Sequence, residues 1–259
     1  MTNIVNQPIK LSALKVACQS CKLQDLCLPL GLNRLDMDQL DNIIKRRKPL
    51  QKGEFLFRSG EIFGALYAVR SGTIKTYSEN EQGDEQITGL FLPGELLGLD
   101  AIHDDMHPSS AIALETTSLC EIPFHSLEEL STHIPALHHQ LLRIMSKELS
   151  TDQTLLMLMA QKNAEERLAA FLVNLSSRLK QRNFSDTEFF LSMSRKDIGN
   201  YLGLTIETIS RTFSHFQSQG LLETDRKYVK LLKLPQLKSL AGLADDCHRE
   251  APYPSKTAR

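Results

Sequence analysis

Between Pro49 and about Pro123, apolar residues come in short runs or alternate with polar ones. Glu54–Phe57, Leu66–Val69, Thr73–Tyr77, Gln86–Phe91, Ser110–Leu114 and Ser118–Ile122 each have strand length. Gly53, Gly60, Gly72, Gly83 and Gly94 recur between them every 7 to 12 residues. Short strands at that spacing predict an antiparallel sandwich or roll. Ahead of it, Leu35, Leu40, Ile43 and Ile44 predict a short helix around Asp36–Lys45. Beyond residue 134 the period becomes helical. Leu142, Met145, Leu149, Asp152, Leu156 and Met159 step 3, 4, 3, 4, 3, the seam of a coiled coil. Leu141, Leu155 and Leu158 lie beside the seam and are free to contact their own domain while the seam meets a partner helix. The Asp in this seam would bring two like charges together in a dimer. A further helix is expected over Glu165–Leu179, then loop and strand over 184–193.

The next segment predicts two helices joined by a tight turn. Ser194 can cap the first, whose buried side is Ile198, Tyr201 and Leu202, and Gly203 can end it in a left-handed conformation. Thr205 can cap the second, with Glu207 in its first turn where the helix dipole favours an acid. Ile206, Ile209, Phe213 and Phe216 form an inner stripe on this second helix. Glu207, Ser210, Arg211 and Ser214 point the other way. Helix, glycine turn, helix is the arrangement that sets a second helix in the major groove of DNA. Arg can pair bidentately with guanine there, and Glu can accept from cytosine. A solvated helical hairpin would show the same pattern. The hairpin expected over Leu221–Leu232 adds a wing.

Composition is that of an ordinary globular chain, 41% hydrophobic and 24% charged. No apolar run reaches the roughly 18 residues of a membrane span, and Met1–Lys15 lacks the apolar core of a signal peptide, so a cytoplasmic address is expected. Net charge is −1, but residues 160–233 hold 12 Lys/Arg against 8 Asp/Glu, leaving 18 against 23 elsewhere. A basic segment on an acidic remainder fits an anionic partner. The sequence has no phosphate-binding glycine loop, nucleophile elbow or HExxH, so an enzyme is not expected. His103-Asp104-Asp105-Met106-His107 has donors for a metal but reads more simply as a polar loop. Of five cysteines, Cys18, Cys21 and Cys27 fall within ten residues, Cys120 lies in a predicted strand, and Cys247 sits in a polar tail as a bystander. In a reducing compartment such a cluster points to a metal or redox site. Four thiolates suit an iron–sulfur cluster or zinc, and spacing alone does not choose.

Arg195-Lys196-Asp197-Ile198-Gly199-Asn200-Tyr201-Leu202-Gly203-Leu204-Thr205-Ile206-Glu207-Thr208-Ile209-Ser210-Arg211 resembles the DNA-binding signature of the CRP/FNR superfamily. Asn163–Phe171, Gln82–Thr88 and the set Cys18, Cys21, Cys27, Cys120 resemble its FNR branch, and the likeness runs from about residue 18 to 242. It implies an α+β chain: an N-terminal antiparallel β-roll of the cyclic-nucleotide-binding kind, a long dimerisation helix and a C-terminal winged helix-turn-helix. The expected divisions are a cysteine-rich leader (1–30), roll (31–133), dimerisation helix (134–160), DNA-binding domain (161–240) and flexible tail (241–259). The resemblance further implies a [4Fe-4S] cluster on the four cysteines, lost to oxygen together with the dimer. It implies double-stranded DNA of the form TTGAT-N4-ATCAA as partner, read by Glu207, Ser210 and Arg211. It also implies an RNA polymerase contact at the turn holding Gly83 and Asp84, a turn that reads equally as a plain hairpin. Relatives that bind cyclic AMP carry an Arg-Ser pair in the roll. Here the stretch is His107-Pro108-Ser109-Ser110-Ala111, without that Arg, so no cyclic nucleotide is expected. The function implied is an oxygen-responsive regulator of anaerobic metabolism. The alternative is a regulator of the same superfamily that senses redox or metal through thiols or zinc.

Overall fold

The computed structural model describes residues 17–242; the predicted loose leader before them, Cys247 and the tail around it lie outside the described residues. Contacts divide the chain into two compact units. The first holds residues 17–74 and 91–148, and the second 75–90 and 149–242.

In the first unit, helix α1 (Arg34–Ile43) is capped by Asn33, whose side chain accepts from the Asp36 N–H. Four short strands follow as one antiparallel sheet in the order β1-β8-β3-β6: β1 (Lys45–Arg46), β8 (Ser118–Pro123), β3 (Ala65–Ser71) and β6 (Leu96–Leu97). Strands β2 (Phe55–Phe57) and β7 (Ser110–Ala113) form a second antiparallel pair, irregular between Phe55 and Phe57. Leu56, Phe57, Val69, Ile74, Leu97, Ala111 and Leu119 fill the space within the roll. A second cluster joins Leu28, Leu40, Leu66, Leu127 and Leu137, none more than 1% exposed. Burial of each such leucine contributes about 1.5–3 kcal/mol. Leu28 thereby anchors the cysteine-bearing segment to α1, to helix α2 (Phe124–His133) and to the start of helix α3 (Pro135–Gln161).

The predicted strands and the predicted helices after residue 133 are present to within a few residues. Helix α2 was not predicted; its stripe, Phe124, Leu127 and Leu130, is only three residues long. Leu35, expected on the buried side of the first helix, is 73% exposed; the helix starts one residue before it, and Leu40 supplies the anchor.

The second unit opens with β4 (Ile74–Glu79) and β5 (Glu85–Phe91), paired as a hairpin whose strand β5 is the outer strand of its sheet. Helix α4 (Ala164–Lys180) starts at a capping box made by Asn163 and Glu166. Helices α5 (Arg195–Leu202) and α6 (Ile206–Ser218) follow β9 (Glu188–Phe190). Strands β10 (Leu222–Asp225) and β11 (Tyr228–Leu231) complete a three-stranded sheet ordered β10-β11-β9, and α7 (Leu234–Leu240) packs on α4. The chain is therefore α+β: antiparallel sheets, one long helix, and a helix-turn-helix with a hairpin wing.

Candidate cysteine centre and nucleic-acid interface

The three leading cysteines sit on two tight 3-10 turns, Cys18–Ser20 and Gln24–Leu26, which reverse the chain within ten residues. Cys120 stands on β8, the strand between β1 and β3, opposite Arg46 on one side and Ala68 on the other. All four cysteines line one recess, with Leu23, Leu28, Leu40 and Ile122 among its walls. None of the four is in a disulfide. Among the described residues, no three His, Cys, Asp or Glu side chains are gathered around a point where a bare ion would sit.

Burial pushes the Cys18 thiol up to about 12, and the nearby Asp41 carboxylate adds to the effect. Burial likewise pushes Cys27 up to about 12, against a backbone N–H from Leu28. Cys120 is raised by burial, with Arg46 opposing. These thiols favour their protonated form in an apolar wall and need a positive centre to become thiolates. Asp41 also ties the site together. It accepts from the Cys18 N–H at 3.2 Å and from Arg46 Nη2 at 2.7 Å, linking the first turn, α1 and β1. Neither Asp41 nor Arg46 was singled out in the sequence, since only the fold brings them beside Cys18 and Cys120.

The loop His103–His107 does not gather its two histidines. His107 is 3% exposed and its ring stacks on Phe57 at 3.7 Å between centroids, while the His103 side chain is 92% exposed. Burial lowers the His107 pKa. The adjoining Ser109 donates to Asp100, and Ser110 accepts from the Ser59 N–H.

On the helix-turn-helix, Ser194 and Asp197 form a capping box at the start of α5. Gly203 ends it with φ +63°, and Thr205 caps α6 through the Thr208 N–H. Gly199 allows the helices to approach: a Cβ there would lie 2.7 Å from the Leu204 carbonyl oxygen. Ile209, Phe213 and Phe216 are buried as the stripe requires. Ile206, expected with them, is 45% exposed, because it is the first residue of the helix and lies beyond the packed turn. Glu207, Ser210 and Arg211 are all exposed on the outer face, within two turns of the α6 N-terminus. Hydrogen bonds from its own backbone N–H and from Thr205 hold the Glu207 carboxyl below its ordinary value, with a contribution from Arg211. The wing lysines are engaged elsewhere: Lys227 Nζ donates to the Ser192 carbonyl, and Lys230 pairs with Glu188 at 3.1 Å.

Along α3, Leu142, Leu149 and Leu156 are 49%, 63% and 67% exposed, and Asp152 is exposed in the same row. Met145 and Met159 are partly buried. One residue that sequence reasoning passed over closes the second unit: the Arg167 guanidinium donates to the carbonyls of Met159, Lys162 and Leu202, joining the ends of α3 and α5. At the hairpin tip, Gly83 takes φ +83° and Asn80 Oδ1 accepts from the Gln82 and Asp84 N–H groups. Gly83 and Asp84 are exposed.

Comparison with known proteins covers both units. Residues 47–133 match a cyclic nucleotide-binding domain model, and residues 166–240 a Crp-like helix-turn-helix domain model. The chain is 54% identical over 239 residues to the transcriptional activator protein Anr of Pseudomonas protegens, covering 92% of this chain and 98% of that one. It is 54% identical over 227 residues to the fumarate and nitrate reduction regulatory protein of Escherichia coli, covering 88% and 91%. Among solved structures, FixK2 from Bradyrhizobium japonicum aligns with a TM-score of 0.71 at 30% identity, over 76% of this chain and 97% of that one.

Proposed function

The chain belongs to the FNR branch of the CRP/FNR transcription regulators, and from that membership we propose that it is an oxygen-responsive regulator of anaerobic metabolism. On this reading it works in the cytoplasm and binds palindromic DNA as a homodimer while a [4Fe-4S] cluster is intact. The observation that carries the reading is that four unbridged cysteines, Cys18, Cys21, Cys27 and Cys120, line one recess. A donor set of four thiolates suits an iron–sulfur cluster. Four thiolates also suit zinc, and metal content decides between the two.

Bound there, the cluster would supply an oxygen-labile tether between the leading turns and β8. The chain's own residues do the rest. Asp41 holds the Cys18 end of the segment to α1 and Arg46, and Leu28 holds its other end in the core. The exposed row Leu142, Leu149 and Leu156, with Asp152 between the last two, gives a partner helix an apolar seam interrupted by like charge. Such a dimer is marginal, so a modest change at the cysteine segment can tip it. Glu207, Ser210 and Arg211 then read the base edges, and the turn at Gly83 and Asp84 faces RNA polymerase. No cyclic nucleotide is assigned to the roll, because its 107–111 stretch has no Arg for a phosphate and His107 is stacked on Phe57.

The test is metal content in anaerobically prepared variants. Cys18→Ser, Cys21→Ser, Cys27→Ser and Cys120→Ser should each lose the cluster, whereas Cys247→Ser keeps it. Full iron in Cys120→Ser would remove β8 from the site. A colourless protein carrying zinc would replace the cluster with the alternative metal.

A further inference from the structure

Strand β5 is the outer strand of its sheet, and an outer strand carries backbone groups without a neighbouring strand. One side chain from α5 occupies that edge. Asn200 Nδ2 donates to the Glu85 carbonyl at 2.6 Å, and Asn200 Oδ1 accepts from the Ile87 N–H at 2.5 Å. A carbonyl and an N–H two residues further along are the pair that a parallel neighbouring strand would engage. The Asn200 amide thus takes the place of one residue of a missing strand. Three further contacts surround it. Gln86 Nε2 donates to the Asn200 carbonyl at 2.7 Å, Lys75 Nζ on β4 pairs with Asp197 Oδ1 at 2.7 Å, and Arg178 on α4 donates to the Leu90 carbonyl.

These contacts explain why the hairpin groups with the C-terminal elements and not with the strands that flank it in sequence. The docked residue Glu85 directly follows Asp84, and the tip itself is fixed by Asn80. At the other end of α5, the Gly203 turn leads straight into α6. The path from the DNA-reading face to the tip therefore runs through one short helix and one side-chain amide.

We propose that Asn200 is a positioning residue for transcription activation: its amide fastens the β4–β5 hairpin to α5, so that the turn at Gly83 and Asp84 and the recognition helix α6 form one block. The inference rests on the reading that this turn faces RNA polymerase. It predicts that a promoter-bound molecule presents its turn at a set distance from the DNA, and that loosening Asn200 separates binding from activation.

The experiment uses the full chain, loaded with its cluster under anaerobic conditions, as wild type, Asn200→Asp, Asn200→Ala and Asp84→Ala. Asn200→Asp is nearly isosteric but sets a carboxylate oxygen against the Glu85 carbonyl. Three quantities are read: operator affinity, activation against repression at promoters of each type, and hydrogen exchange in peptides covering residues 85–90. Both Asn200 variants should bind operator within about twofold of wild type, as for a surface change away from the base contacts. Both should repress normally and activate poorly. Asn200→Ala, which loses both hydrogen bonds, should exchange the Ile87 amide about tenfold faster, and Asn200→Asp, which loses only the donation to Glu85, by a smaller factor. Asp84→Ala should lose activation while the Ile87 amide stays protected.

An Ile87 amide that stays protected in both Asn200 variants would overturn the docking. Fast exchange with full activation, while Asp84→Ala fails to activate, would overturn the positioning role and leave the turn reading intact. Equal loss of binding and activation in both Asn200 variants would also overturn it, by making the residue structural. If Asp84→Ala activates normally while Asn200→Asp does not, the turn reading falls and Asn200 positions another part of the hairpin. If both activate normally, both readings fall.

Discussion

Arg211 stands exposed on the second turn of α6, one turn after Glu207 and next to Ser210. If it pairs with the guanine of each half-site, Arg211→Ala should cost about 1–3 kcal/mol per half-site and relax discrimination at that base pair. A binding series on operators substituted at the guanine, at fixed salt and without oxygen, checks this. Unchanged rejection of every substituted operator would reassign the reading face. Asp197 makes a prediction of a different kind. Burial alone would raise its pKa, but hydrogen bonds from Lys75 and Ser194 outweigh burial and hold the carboxyl below its ordinary value. A depressed folded pKa stabilises the fold above the unfolded value, and that contribution is lost as pH falls through the folded one. The melting temperature of cluster-free wild type should therefore exceed that of Asp197→Asn near neutral pH. The difference should shrink below about pH 4, where an unfolded Asp begins to hold its proton. A difference independent of pH would mean that the charge contributes nothing. Individual positions were legible in the sequence where local rules set them, as with the caps at Ser194 and Thr205 and the glycine at 203. They were not legible where a helix end spoiled the stripe, as at Leu35 and Ile206.

At the scale of elements, periodicity carried most of the reading. Glycine-separated runs gave the strands of the roll, and 3–4 stepping gave α3 and α6. What it could not give were elements too short to show a period, such as β1 and β6, and partnerships between distant segments. Asn200 lies 113 residues from Ile87, and Arg167 lies 35 from Leu202. No local pattern marks an amide that will complete a strand edge or a guanidinium that will join two helix ends. The long helix makes its own prediction. Leu142, Leu149 and Leu156 repeat at heptad spacing, and Asp152 falls in the same exposed row. In a dimer its two copies would oppose association, because like charges in an apolar seam are costly. Asp152→Ala should tighten the cluster-free dimer by about tenfold or more, equivalent to roughly 1.4 kcal/mol. It should also keep operator binding in air. Sedimentation equilibrium decides, and an unchanged or weaker dimer constant would take Asp152 out of the switch.

At the scale of the molecule, three sites widely separated in sequence are asked to act together. The cysteine turns sit at the start of the described chain, the seam in its middle, and the reading helix near its end. The sequence marks each of these sites, because thiol spacing, heptads and the helix-turn-helix are local patterns. It does not mark how the cysteine segment enters the core, which depends on Leu28 and on Asp41 meeting Cys18 and Arg46 after the fold forms. The proposed function requires that an oxygen-labile cluster on the four cysteines governs DNA binding. The most direct measurement follows iron and sulfide content, visible absorbance and operator affinity in one anaerobic sample, before and after admission of air. The expected result is a coloured protein with equal iron and sulfide that binds the palindrome, then loses its colour and its operator affinity together. A protein that binds the operator equally well before and after its iron is lost would contradict it.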